Sequence, residues 1–203
     1  MNTVVSALQG WINPAIRRRS FYAWRDSLTF GGRLCLMFAA TIGLGLCSQI
    51  IIPLPFTPVP LSLQTCGAAV AAVSLGRGWG AGAVAAYIAG IALGIPWTVG
   101  GSGGTAVFTG PTGGYLVGFI LEAAVLSTFS SDLARCRRLT VWGAIFACDI
   151  VLILTPGTLW LWSLLEAGGH PAALTDAAAK GFFPFVAVDT VKSGLAAAVI
   201  GRR

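Results

Sequence analysis

The chain has 203 residues, of which 56% are apolar and 10% charged, with 13 basic against seven acidic side chains. A water-soluble domain carries about a quarter charged residues, so the composition excludes an ordinary soluble fold. It points to an all-α, polytopic membrane protein. The net charge of +6 follows from membrane sidedness, and no nucleic-acid partner is expected.

Residues 1–29 read as a cytoplasmic N-terminal segment, ahead of a single six-helix transmembrane domain over 30–203. Trp11, Phe21, Tyr22 and Trp24 suit the lipid headgroup level. Arg18-Arg19-Ser20-Phe21 has the look of a twin-arginine export signal. No small-residue cleavage pattern closes the following apolar run, and five more runs come after it, which argues against that reading.

Apolar runs predict spans over 32–52, 61–76, 79–95, 114–131, 140–164 and 182–201. The expected fold is therefore a six-transmembrane-helix bundle with irregular outer loops. In the first span Ala39 and Gly43, and Thr41 and Gly45, follow small-xxx-small spacing. That spacing lets a helix approach closely, whether within the bundle or from a partner.

Between the first two spans lies Pro53-Leu-Pro-Phe-Thr-Pro-Val-Pro60, four prolines in eight residues. Such backbone is extended or turned, and being apolar it is expected to fold against the bundle. Gln64 follows one turn into the second span; alone it reads more readily as a helix–helix hydrogen bond than as a ligand contact. The segment from Pro96 to Gly114 holds seven glycines. Its bare backbone can approach a ligand closely, and at membrane depth it survives only against protein or a water-filled cavity.

Glu122 in the fourth span and Asp149 in the fifth are each open to a protonated, paired or proton-relay role. A structural role is favoured for Glu122, and Asp149 is left open. Thr155-Pro156-Gly157 predicts a kink or break in the fifth span. Cys35, Cys47, Cys66, Cys136 and Cys148 have no paired spacing and read as packing residues, with no metal site.

The last span carries the most informative feature. Asp189 and Lys192 stand three residues apart in an otherwise apolar stretch, on one helical face. Ionisable groups at bilayer depth are costly, so they face the protein interior and mark a substrate or ion path or a structural ion pair. Asp189 lies five residues past Pro184, roughly 8 Å below the outer helix end. With six spans, all 11 arginines fall on one side, which the positive-inside rule makes cytoplasmic along with both termini. The proline loop, the glycine loop and the outer part of the last helix then share the outer side. The expectation is a pocket roofed by both loops with Asp189 and Lys192 in its wall.

Three stretches together resemble a known family: Pro55-Phe-Thr-Pro-Val-Pro-Leu-Ser-Leu-Gln-Thr65, Gly110-Pro-Thr-Gly-Gly-Tyr-Leu-Val-Gly-Phe119, and Asp189-x-x-Lys192. The chain resembles the BioY family, the biotin-specific S components of energy-coupling factor (ECF) transporters, over most of residues 30–200. The resemblance implies a six-helix membrane bundle that captures biotin from outside. A transmembrane coupling protein and two ATPase subunits would power release. It implies polar contacts to biotin from Asp189 and Lys192, a polar contact from Ser102, and a glycine-rich start to the fourth helix at Gly113, Gly114 and Tyr115. It also implies partner docking through Ala39 and Gly43. No catalytic residues and no cofactor are expected, biotin being the transported substrate.

Two positions depart from the family. Ala187-Val188 stands where Pro-Gly often precedes the Asp, and Asp149 stands where a neutral polar residue is expected. The ligand chemistry is sensible on its own terms. Asp189 can accept from the ureido N–H groups of biotin, and Lys192 can serve its ureido oxygen or its carboxylate. Trp97, Phe108 and Tyr115 could cover its apolar body or simply anchor the protein.

Two other readings have support in the sequence. Glu122 and Asp149 suggest a solitary or ion-coupled transporter without ATPase partners. The chain has no GxxxxGK[ST] motif for hydrolysing ATP itself. Gly100-Gly-Ser-Gly103 matches the G-x-S-G of rhomboid-like intramembrane serine proteases. Such an enzyme needs a general base, and the sole histidine, His170, falls in a predicted outer loop.

Overall fold

The structure is a computed structural model that describes residues 14–98, 100–171 and 173–202, with side chains from residue 21 onward. Trp11, Arg203 and the side chains of Arg17, Arg18 and Arg19 lie outside the described residues.

Helix α1 (Pro14–Ser27) precedes the bundle. Thr29 then caps α2 (Phe30–Ser48), its Oγ1 accepting from the Gly32 N–H at 3.3 Å. The predicted first span ends at Ser48 and not at residue 52, because Ile51–Ile52 (β1) pairs antiparallel with Leu61–Ser62 (β2). That ribbon closes the proline loop at its base, and it delays the next helix to α3 (Gln64–Leu75). There follow α4 (Trp79–Ala92), the short α5 (Ala106–Thr109), α6 (Gly113–Thr128) and α7 (Ser130–Leu133).

The fifth predicted span is one continuous 30-residue helical stretch, Arg138–Ala167. It comprises α8 (Arg138–Cys148), a π-helical segment (Asp149–Leu154) and α9 (Thr155–Ala167). The predicted break at Pro156 is thus absorbed as a widened turn. Proline lacks the N–H for an i−4 bond, and the Thr155 hydroxyl reaches back to the Ile150 carbonyl at 2.8 Å. The chain ends in α10 (Ala173–Gly181) and α11 (Phe183–Ile200). The segment read from sequence as an outer loop therefore holds a helix, rich in alanine and stitched by Lys180 to Asp176 at 3.2 Å.

Among the described residues, three helical stretches are long and apolar enough to cross a membrane: Phe30–Ser48, Arg138–Ala167 and Ala173–Ile200. The other apolar helices, α3, α4 and α6, have 12, 14 and 16 residues. At 1.5 Å per residue each falls short of the roughly 30 Å hydrocarbon core. Helix α3 is the hub, packing against α2, α4, α6 and α11. Large side chains such as Phe38, Ile42, Leu46, Val191 and Leu195 face outward, as a lipid-facing surface requires.

Glycines set the closest helix approaches. A Cβ on Gly118 would stand 2.5 Å from the Leu152 carbonyl oxygen, and one on Gly114 would stand 2.7 Å from that of Pro156. Only glycine lets α6 lie this tightly on the π segment and α9.

Candidate functional site

At the centre, α3, α6, the π-helical segment, α11 and the end of the proline loop line a cavity of about 50 Å³. Asp189 and Lys192 lie in its wall, 0% and 6% exposed, with Lys192 Nζ 2.9 Å from Asp189 Oδ1. Their i, i+3 spacing brings the two side chains together. The buried Thr65 hydroxyl stands beside the Asp189 carboxylate at the same cavity. Buried polar groups are ordinarily satisfied. Acceptor and donor groups are thus gathered at one point and bonded among themselves.

Gln64 also lines the cavity. Its amide is held from two sides: Oε1 accepts from Ser62 Oγ at 3.1 Å, and Nε2 donates to the Tyr87 oxygen at 2.6 Å. Tyr87 in turn donates to the Trp97 carbonyl at 2.8 Å. Gln64 thus makes the helix–helix bond expected of it, and it also stands in the cavity wall.

Tyr115 forms another wall. Its ring packs over Gly157, where a Cβ would collide with it, and its hydroxyl donates to the Gly181 carbonyl at 2.7 Å. Phe185, Phe119, Leu154 and Val59 supply the apolar lining. The chamber thus joins one charged pair and several neutral polar groups to an aromatic and aliphatic body, the pattern of a site for a small amphipathic molecule.

Of the residues singled out from sequence, Asp189, Lys192, Gln64 and Tyr115 meet here, and Ser102 and Gly113 do not line the cavity. Ser102 Oγ is 2.6 Å from Thr98 Oγ1 within the glycine loop. Gly113 is a packing position, where a Cβ would stand 3.1 Å from Trp160 Nε1. The expected roof of two loops is in the main one loop: the proline loop gives Val59 and Pro60, and the glycine segment gives only Thr112. The cause is Trp97, whose ring is wedged over Gly45 and Gly90 and lies beside Tyr87, drawing the loop over α2 and α4. Ser48 Oγ and the Tyr87 hydroxyl both bond the Trp97 carbonyl. Phe108 packs on the core and does not line the chamber.

Thr65, Ser62, Thr112 and Tyr87 were not singled out. Thr65 was within reach, as the next residue on the Gln64 turn; Tyr87 carries no local signal.

Glu122 and Asp149 lie deeper, 0% and 1% exposed. Ser193 Oγ is 2.6 Å from Asp149 Oδ2 and 2.6 Å from the Asp189 carbonyl, so Asp149 is tied to the helix that carries the charged pair. Ala39 is exposed on α2, and a Cβ on Gly43 would meet nothing within 4 Å. Thr41 and Gly45 face inward, Thr41 Oγ1 bonding the Ala83 carbonyl at 3.0 Å. The two small-residue pairs therefore divide, one outward and one into the bundle.

Apolar helices closed around an acid–lysine pair, with a lipid-facing exterior, define a multi-pass membrane protein with a polar internal chamber. The sequence model of the BioY family matches residues 25–203, and the chain belongs to the BioY family. It is 39% identical over 130 residues to a probable biotin transporter BioY of Methanothermobacter thermautotrophicus, covering 63% of this chain and 82% of the relative. It is 34% identical over 176 residues to the biotin transporter BioY of Rhizobium etli, covering 83% and 89%. Its fold is similar to a solved S-component for biotin from an ECF-type ABC transporter. That match has a TM-score of 0.74 at 24% identity and covers 86% of this chain and 93% of that one.

Proposed function

We propose that this protein takes up biotin across the cytoplasmic membrane as the substrate-specific S component of an ECF transporter. Family membership and the curated relatives named above support the substrate class. The observation that carries the site is the buried Asp189–Lys192 pair, with the Thr65 hydroxyl beside it, in the wall of an internal chamber. Asp189 accepts from the ureido N–H groups, Lys192 serves the ureido oxygen or the carboxylate, and Gln64 and Tyr115 complete the polar and aromatic wall. Ser102 and Gly113 act at a remove, by shaping the glycine segment.

Residues 30–203 form the transmembrane domain, with both termini cytoplasmic as the arginine distribution supports. The outward-facing Ala39 and Gly43 on α2 offer the docking face for a coupling protein, and two ATPase subunits drive release. A protease reading loses its footing: His170 Nδ1 is 3.3 Å from Asp176, and Lys192 is engaged by Asp189, while Ser102 lies in the glycine loop outside the cavity.

The test is equilibrium binding of labelled biotin to the detergent-purified chain, beside Lys192→Ala and with thiamine, riboflavin and lipoate as competitors. Selective biotin binding that the variant loses is expected. A folded sample that binds none of the four ligands would overturn the proposal.

A further inference from the structure

On the arginine-bearing face lies a second and larger cavity, of about 260 Å³, between the end of α1, the start of α2, the α3–α4 turn and α7. Arg25, Arg33 and Arg77 line it against a single carboxylate, Asp26. Asp26 is already used: Arg25 Nε and Nη2 hold its Oδ1 at 2.8 and 2.6 Å. Arg33 spends two donors on carbonyls, those of Leu28 at 3.2 Å and Asp26 at 2.8 Å. The Arg77 guanidinium makes no hydrogen bond or ion pair among the described residues. The lining thus holds two positive charges in excess.

Three further features aim the cavity at an oxyanion. Ser130 is 5% exposed, lines the cavity, and its hydroxyl has no hydrogen-bond partner among the described residues. Helix α4, 14 residues long, begins at Trp79 in the lining with no side-chain cap; its Gly80 N–H is bonded to the Gly76 carbonyl at 3.0 Å, and the positive end of its dipole lies at this cavity. The turn before it places Gly76 and Gly78 at φ of 83° and 79° around Arg77, and the Arg25 guanidinium packs directly on Gly76.

The rim, in contrast, is aromatic and bare: Trp24, Phe30 and Phe129 are 50%, 74% and 55% exposed, with the Phe30 ring 5.5 Å from Trp79. A cationic floor within an exposed aromatic rim, at the end of apolar helices, sits at headgroup depth. Basic pockets between helices at that depth take lipid phosphate.

We propose that this cavity binds the phosphodiester headgroup of an anionic phospholipid. Arg77 and Arg33 pair with the phosphate, Ser130 donates to it, the α4 dipole favours its charge, and the aromatic rim receives the acyl chains. Bound there, the lipid fastens α1 to the α3–α4 turn.

The test uses the full chain, purified and exchanged into a mixture of dioleoylphosphatidylglycerol and dioleoylphosphatidylcholine, with retained lipid counted by native mass spectrometry. Parallel samples carry Arg77→Gln, Ser130→Ala, or glycerol 3-phosphate as competitor, and the melting temperature without added lipid controls for folding. Preferential retention of one phosphatidylglycerol is expected, weakened about fivefold in Arg77→Gln with the lipid-free melting temperature unchanged. Displacement by millimolar glycerol 3-phosphate would overturn the lipid assignment in favour of a soluble phosphate ester. Equal retention of the two lipids by wild type and Arg77→Gln would overturn the proposal and leave the basic face to an acidic protein partner.

Discussion

Ser193 binds Asp149 across the bundle at 2.6 Å, and it lies one turn from Asp189, whose carbonyl it also bonds. The π segment and the helix bearing the charged pair are therefore joined at the level of the chamber. Asp149 departs from what the family pattern leads one to expect, and this bond explains how the chain accommodates it. Asp149→Asn retains an oxygen acceptor for Ser193, so biotin affinity should change by less than about threefold and stability by about 1 kcal/mol or less. Asp149→Leu removes the acceptor and should lower the melting temperature while weakening binding. Thermal unfolding and biotin titration on both variants check this.

Lys192 and Asp189 are each other's only charged neighbour in the chamber lining. Removing one partner of a buried pair costs about 3–5 kcal/mol, and removing both with apolar residues of similar volume costs far less. Lys192→Met and Asp189→Leu should each destabilise strongly, and the double variant should recover much of that stability. None of the three should bind biotin. A double-mutant cycle on melting, with binding measured alongside, separates the structural role of the pair from its ligand role.

Tyr115 depends on two glycines. Gly157→Ala drives a methyl into the Tyr115 ring and should cost about 1–3 kcal/mol through overpacking, with loss of affinity as the wall shifts. Tyr115→Phe keeps the ring and forfeits the bond to the Gly181 carbonyl. It should cost about 1 kcal/mol with a smaller effect on binding. Chemical denaturation and biotin titration distinguish the two.

The two small-residue pairs on α2 make opposite forecasts. A Cβ at Gly45 would sit 2.8 Å from Trp97 Cδ1, so Gly45→Val should destabilise the isolated chain. Gly43→Trp points into open space and should leave biotin binding intact. If Gly43 serves docking, that variant should fail to co-purify with a coupling protein, and uptake in cells should fall in parallel.

Much of this was readable because a membrane magnifies polarity. Asp189, Lys192 and Gln64 stand out against apolar neighbours, and their helical register places them on faces that do meet. What stayed hidden depended on tertiary contacts. The path of the glycine loop follows Trp97, which lies on Gly90 of the preceding helix and on Gly45, 52 residues away in sequence. That is why Ser102 falls away from the cavity. Helix α10 did carry a local signal in its alanines and its Asp176–Lys180 spacing, but modest hydropathy made it resemble a loop. Pro156 read as a break because the Thr155 bond that heals it uses a side chain.

The proline loop that covers the chamber is pinned by Thr57 Oγ1, which donates to the Lys180 carbonyl at 2.7 Å. The space beneath it, about 50 Å³, is well below the roughly 300–1,000 Å³ of pockets that hold drug-sized ligands. Admission of biotin thus has to wait for an opened form, and observed affinity is the intrinsic affinity reduced by how seldom that form occurs. Association should be slower than diffusion allows, and dissociation slower still. Loosening the Thr57 clasp, as in Thr57→Val, should therefore speed the association of biotin.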